Sequence, residues 1–144
     1  MKGKYIVFNG EDNETKEEII QILKEHLTNK FYNVKIIDEP INPYIRRTVK
    51  KIKETQNTED FTVQRIIELL CSADRVDSNF KIEKYKELYD VVISNSSCLN
   101  QDFYDTHRIW WAGINEDTIK PDLTIPFPND NPDFYEYIES FICK

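Results

Sequence analysis

The chain has 144 residues, 40% hydrophobic and 31% charged, with a formal net charge of −7 at pH 7. That length suits one domain, 1–144, with a core of its own, and the composition is that of an ordinary globular protein. The acidic balance argues against a nucleic-acid or anionic-membrane surface, either of which needs a basic face. No apolar run approaches a membrane span, and the amino terminus lacks the apolar stretch of a signal peptide. Cys71, Cys98 and Cys143 are odd in number and lack metal-ligand spacing. Free thiols in a reducing cytoplasm are therefore expected.

Taken in chain order, Lys4–Phe8 is an apolar run that predicts a strand, and a helical pattern follows from Glu17 to about Leu27, with Ile19, Ile20, Leu23 and Leu27 recurring at helical spacing. Val34–Ile37 predicts a second strand. Ile45, Val49 and Ile52 mark a helix whose other face carries Arg46, Arg47, Lys50, Lys51 and Lys53, read as a solvated basic surface. Val63, Ile66, Ile67 and Leu70 mark another helix, after a loop at Asn57–Asp60; Ile82, Tyr85, Leu88 and Tyr89 mark one more. Val91–Ser94 and Leu123–Ile125 are the remaining strands, Pro128–Pro132 is a loop, and Phe134, Tyr137, Ile138, Phe141 and Ile142 predict a final helix. Trp110 and Trp111 fall in a helix-like stretch. Strands that alternate with helices, and that run apolar without period-2 alternation, predict a three-layer α/β fold: a parallel sheet covered by helices on both faces. Ligands of such sheets sit beyond the carboxyl ends of the strands, so the loops after Phe8, Ile37 and Ser94 are the place to look for chemistry.

The first of those loops, Asn9–Glu18 (NGEDNETKEE), stands where a phosphate-binding loop would stand. Such a loop needs GxxxxGK and then Ser or Thr: glycines that let backbone N–H groups close on phosphate, a lysine for the terminal phosphates, a hydroxyl for Mg²⁺. Gly10 and Lys16 keep the spacing, but Thr15 takes the second glycine position and Glu17 the hydroxyl position. With Glu11, Asp12, Glu14, Glu17 and Glu18 against Lys16 alone, the segment has a formal charge of −4.

Together the loops resemble those of thymidylate kinase, a P-loop nucleoside monophosphate kinase. KYIVFNGEDNETKEEIIQILKEHL is similar to that family's first strand, P-loop and first helix. Asp38-Glu39-Pro40 resembles its Arg-Glu-Pro segment, with Asp38 in place of the arginine. Glu68–Arg75 (ELLCSADR) resembles its LLLFAADR helix, and Pro121–Thr124 (PDLT) its entry to a late strand. The resemblance implies a degenerate phosphate loop at Gly10, Asp12, Lys16 and Glu17. It also implies a nucleoside monophosphate site at Glu39, Arg75 and Tyr104, and a homodimer through helices on one side of the sheet. The apolar faces of Ile45–Ile52 and Val63–Leu70 suit either that role or the core.

The departures fall on the catalytic groups. Asn95 and Ser96 replace the family's Asp-Arg pair after the third strand, and Pro126–Pro132 runs to the last helix without the arginine-bearing lid. Phosphoryl transfer rests on positioning and on cations, and one supplied arginine is worth about 10³–10⁵ in rate. The expectation is a catalytically impaired, thymidylate kinase-like protein that binds a dTMP-like nucleotide or a protein partner. The alternative is an active dTMP kinase that uses ATP and Mg²⁺ through a rearranged P-loop. His107 has no evident nucleophile partner, so a hydrolase triad has no support.

Overall fold

The computed structural model describes residues 3–10, 14–96, 119, 121–126 and 134–143. Four strands form one sheet: β1 (Lys4–Asn9), β2 (Val34–Glu39), β3 (Val91–Ser96) and β4 (Leu123–Pro126), in the order β2-β3-β1-β4. Every pairing is parallel, with Tyr5 opposite Val92, Glu39 opposite Ser96, and Phe8 opposite Ile125. β1 lies in the middle, and its Tyr5, Ile6, Val7 and Phe8 are fully buried, as an unalternating apolar strand requires.

Side-chain alternation divides the sheet into two faces. On one, Ile6, Phe8, Val91, Ile93 and Ile125 pack on Ile20, Leu23 and Leu27 of α1 (Glu14–Asn29) and on Ile138 of α4 (Phe134–Ile142). On the other, Tyr5, Val7, Ile37 and Val92 pack on Ile82, with Tyr85 and Tyr89 beside it, at the end of α3 (Phe61–Leu88). Helices cover both faces, so the three-layer expectation holds. None of the described helices is long and apolar enough to cross a membrane.

The helix starts follow local chemistry. Asn42 caps α2 (Pro43–Thr55) by accepting from the N–H groups of Tyr44 and Ile45, and Pro43 takes the first turn, where a missing N–H costs nothing. Asp60 caps α3 in the same way, through Thr62 and Val63. At the amino end of the sheet Gly3 is required: a Cβ there would lie 2.0 Å from the Tyr89 carbonyl oxygen.

Three expectations change. The two helical patterns at Val63–Leu70 and Ile82–Tyr89 belong to one helix of 28 residues. Between them Ser72, Asp74, Arg75 and Ser78 are buried, so a polar site, not an apolar core, occupies that part of the inward face. The apolar faces of α2 and α3 pack on each other through Ile45, Val49, Ile52, Val63, Ile67 and Leu70, so core packing accounts for them. Cys71 is disulfide-bonded, while Cys143 is a free, exposed thiol. Sequence spacing does not report which cysteines meet in space.

Candidate functional site

The chain leaves β1 toward β2 on one side, and leaves the adjacent β3 toward β4 on the other. The carboxyl ends of β1 and β3 therefore form the topological switch point of the sheet. Gly10 lies there with φ 147°, a conformation that L side chains rarely adopt. Lys16, in the first turn of α1, is fully buried against this point. Its ammonium donates to the Ser96 carbonyl at 2.6 Å and to the Gly10 carbonyl at 3.1 Å. The lysine thus ties the ends of β1 and β3 to α1. Its neighbours Thr15 and Glu17 are exposed. Asp12 lies outside the described residues, as do Tyr104, His107, Trp110 and Trp111.

A second polar group lies on the α3 face. Tyr5, Glu39 and Ser94 fall on that face by strand alternation, at adjacent or next-adjacent strands. The buried Glu39 carboxylate accepts from the Tyr5 hydroxyl at 2.8–2.9 Å and from Ser94 Oγ at 2.7 Å. Arg75, 2% exposed, holds its guanidinium 5.7 Å from the centre of the Tyr5 ring and donates from Nη2 to the Ile119 carbonyl. Tyr5 is therefore the floor that Glu39 and Arg75 share. The Glu39–Pro40 peptide is cis.

Asp74, one residue before Arg75, serves the loop after β2. Its carboxylate accepts from the N–H of Ile41 at 2.9 Å and of Asn42 at 2.7 Å. Burial pushes the Asp74 carboxyl above its ordinary value and the charge of Glu39 adds to this, while the two N–H groups pull it back. Arg46 also serves that loop, donating to the carbonyls of Pro40 at 2.9 Å and Asp38 at 2.7 Å. It braces the carboxyl end of β2. Arg47 lies over the Tyr44 ring, on the α2 surface.

The structure thus joins Gly10 with Lys16, and Glu39 with Arg75 through Tyr5. Sequence reasoning missed Tyr5 and Ser94, because both lie inside strands chosen for apolar character. The signal available was a tyrosine in a fully buried strand, whose hydroxyl needs a partner. Among the described residues no group of three or more His, Cys, Asp or Glu is arranged to hold a metal ion.

No protein-family model matches the chain. It is 27% identical over 121 residues to a probable thymidylate kinase of Methanobrevibacter smithii, covering 84% of this chain and 62% of that protein. It is 32% identical over 127 residues to a probable thymidylate kinase of Methanosphaera stadtmanae, covering 84% and 65%. The chain thus spans less than two thirds of the length of the curated relatives it matches. Its fold is similar to that of thymidylate kinase from Ehrlichia chaffeensis, with a TM-score of 0.58 and 19% identity over 99% of this chain and 86% of that one. Against thymidylate kinase from Candida albicans the TM-score is 0.57 and the identity 16%, over 99% and 77%. In sequence and in fold the chain is thymidylate kinase-like, with the parallel α/β sheet of a P-loop kinase.

Proposed function

We propose that the chain is a thymidylate kinase-like protein with impaired phosphoryl transfer, which acts by binding a dTMP-like nucleoside monophosphate. The observation that carries the impairment is the seat of Lys16. Its ammonium is fully buried and already donates to two backbone carbonyls, which compete with a phosphate for it. Around it the first turn of α1 presents Glu14 and Glu17, acids at the helix end that would otherwise favour an anion. Each close carboxylate–phosphate pair adds repulsion of about 1 kcal/mol in water, and more where water is excluded.

The binding half of the proposal rests on the buried Glu39–Tyr5–Arg75 group and on the likeness to proteins named thymidylate kinases. Nη2 of Arg75 already donates to the Ile119 carbonyl, so a nucleotide would share or compete for that guanidinium.

Calorimetry with dTMP, with ATP and Mg²⁺, and with both, followed by a coupled turnover assay, tests this reading. Binding of dTMP that is lost in Arg75→Ala, with no turnover, is the expected result. Turnover at rates typical of kinases, about 1–100 s⁻¹, would establish the active-kinase alternative instead.

A protein partner is the second reading, favoured by one surface. Ile66, Leu69, Val76 and Phe80 are exposed on α3, with exposed Ala73 between them. Their spacing alternates three and four residues, the repeat that lets two like helices pair along a seam. The partner proposed on that ground is a second copy of the chain.

A further inference from the structure

We infer that the α1 face of the molecule carries a binding site for a small organic polycation of the aliphatic polyamine class. A pocket of about 640 Å³ lies between the first turns of α1 and the carboxyl ends of β2 and β3. That volume is within the range of small-molecule sites, about 300–1,000 Å³. Of the described residues that line it, Glu14, Glu17, Glu18 and Asp38 are acidic and none is a lysine or arginine, so these residues carry a formal charge of −4.

Acidic surface alone would not define a ligand. The second observation is Asn95, which also lines the pocket. Asn95 is 8% exposed, and its Oδ1 has no hydrogen-bond partner among the described residues. Strand alternation fixes its direction. Val91 and Ile93 of β3 point to the α1 face and pack on α1, so Asn95 points there too, and its register partner Asp38 stands beside it on β2. A buried amide oxygen without a donor costs about 1–3 kcal/mol. A ligand N–H aimed at Oδ1 would recover that cost.

The chemistry of the occupant follows. It must donate N–H groups to an amide oxygen and carry positive charge for four carboxylates. It must also present an apolar stem to the aliphatic part of the wall, which includes Ile36. Ammonium groups spaced along a methylene chain meet all three demands, because such chains lay their stems on apolar surface while the charged heads reach polar partners. A bare metal ion meets none of the apolar demand, and the described acids are not arranged to ligate one.

The test is calorimetry of the full chain with spermidine at low ionic strength, and with magnesium chloride as a separate titrant and as competitor. Saturable one-to-one binding is expected, weakened about fivefold by Glu18→Gln and again by Glu14→Gln. Asn95→Leu should weaken it further. Glu54→Gln, which removes the same charge from the exposed surface of α2, should leave the affinity unchanged. If Asn95→Leu fails to fold, the two glutamate variants decide, since both side chains are exposed. Non-saturable binding, equal loss in Glu54→Gln and Glu18→Gln, or displacement by Mg²⁺ at equal charge concentration would each overturn the assignment. Loss of dTMP binding has no bearing on it, because Arg75 and Glu39 lie on the other face of the sheet.

Discussion

Lys16 donates to the carbonyl oxygen of Ser96 at 2.6 Å, joining the first turn of α1 to the end of a strand 80 positions later. The same ammonium reaches Gly10, so one side chain closes the switch point of the sheet from both strands. In this position the lysine holds the sheet together. Lys16→Met keeps most of the stem and removes the donors. Hydrogen bonds to charged groups contribute about 1.5–3 kcal/mol, so an equilibrium urea titration should show a loss of about 2 kcal/mol. Calorimetry should find dTMP affinity unchanged within about twofold, because Lys16 is not part of the Glu39–Arg75 group; a collapse of dTMP binding would place the lysine in the ligand site.

Tyr5 is the keystone of the other group. Its hydroxyl lies between both oxygens of Glu39, whereas Ser94 reaches only one. Tyr5→Phe keeps the ring under Arg75 and leaves a buried carboxylate short of a donor, a change worth about 1–3 kcal/mol. Ser94→Ala should cost less. Chemical denaturation of both variants orders the two contributions, and the reverse order would deny Tyr5 its central role.

The sheet was readable from the sequence because its central strands, β1 and β3, are buried on both faces, and buried parallel strands announce themselves as short apolar runs. All four fall within two residues of the expected bounds. Hydrophobic period alone does not carry the helix through the middle of α3, because Ser72, Asp74, Arg75 and Ser78 interrupt the apolar pattern where the helix turns polar groups inward; only the likeness of Glu68–Arg75 to a family helix marks it. Arg75 and Glu39 were singled out by motif. Tyr5 and Ser94 carry no motif and became visible only through strand register. Likewise, the sequence marks Asn95 as a departure from a kinase pattern, but only the alternation of β3 shows which face it serves.

The carboxyl end of α1 stores strain that a substitution can release. Phe31 has φ 70° and is 96% exposed. The N–H of Tyr32 bonds the Leu27 carbonyl and that of Phe31 the Thr28 carbonyl, the pattern that ends a helix on a left-handed residue, usually glycine. An L side chain there costs about 1–2 kcal/mol, offset in part by the entropy that glycine gains on unfolding. Phe31→Gly should raise stability by about 0.5–1 kcal/mol, read as a higher denaturation midpoint at unchanged slope. A lower midpoint would mean that the ring has packing value.

Glu139 on α4 accepts from Lys30 and meets His26 Nε2 at 2.9 Å, both at the end of α1. The hydrogen bond from Lys30, then that of His26, holds the Glu139 carboxyl below its ordinary value. A carboxyl depressed in the folded state binds fewer protons there than in the unfolded chain. Its stabilising effect is therefore present above the ordinary value of 4.5, and fades as pH falls through the lower folded value. Glu139→Gln removes this dependence. Midpoints measured from neutral pH downward should differ between wild type and variant at pH 6, and converge toward pH 3. A constant difference across that range would show that the link is not ionic.

The α3 stripe gives the dimer proposal a sharp test. Val76 is 55% exposed and Phe80 76%, and neither belongs to a described core cluster, so changing them should leave the fold intact. A lysine at position 76 would place two like charges near one another across a seam of two α3 helices. It would also remove an apolar contact that each copy supplies. Sedimentation equilibrium should find the wild type dimeric and Val76→Lys monomeric, with thermal midpoints at low protein concentration alike to within the change expected of a surface substitution, about 0.5 kcal/mol. Phe80→Ala should weaken the dimer without adding charge. A wild-type chain that stays monomeric at high concentration would leave the stripe without a second copy as its partner.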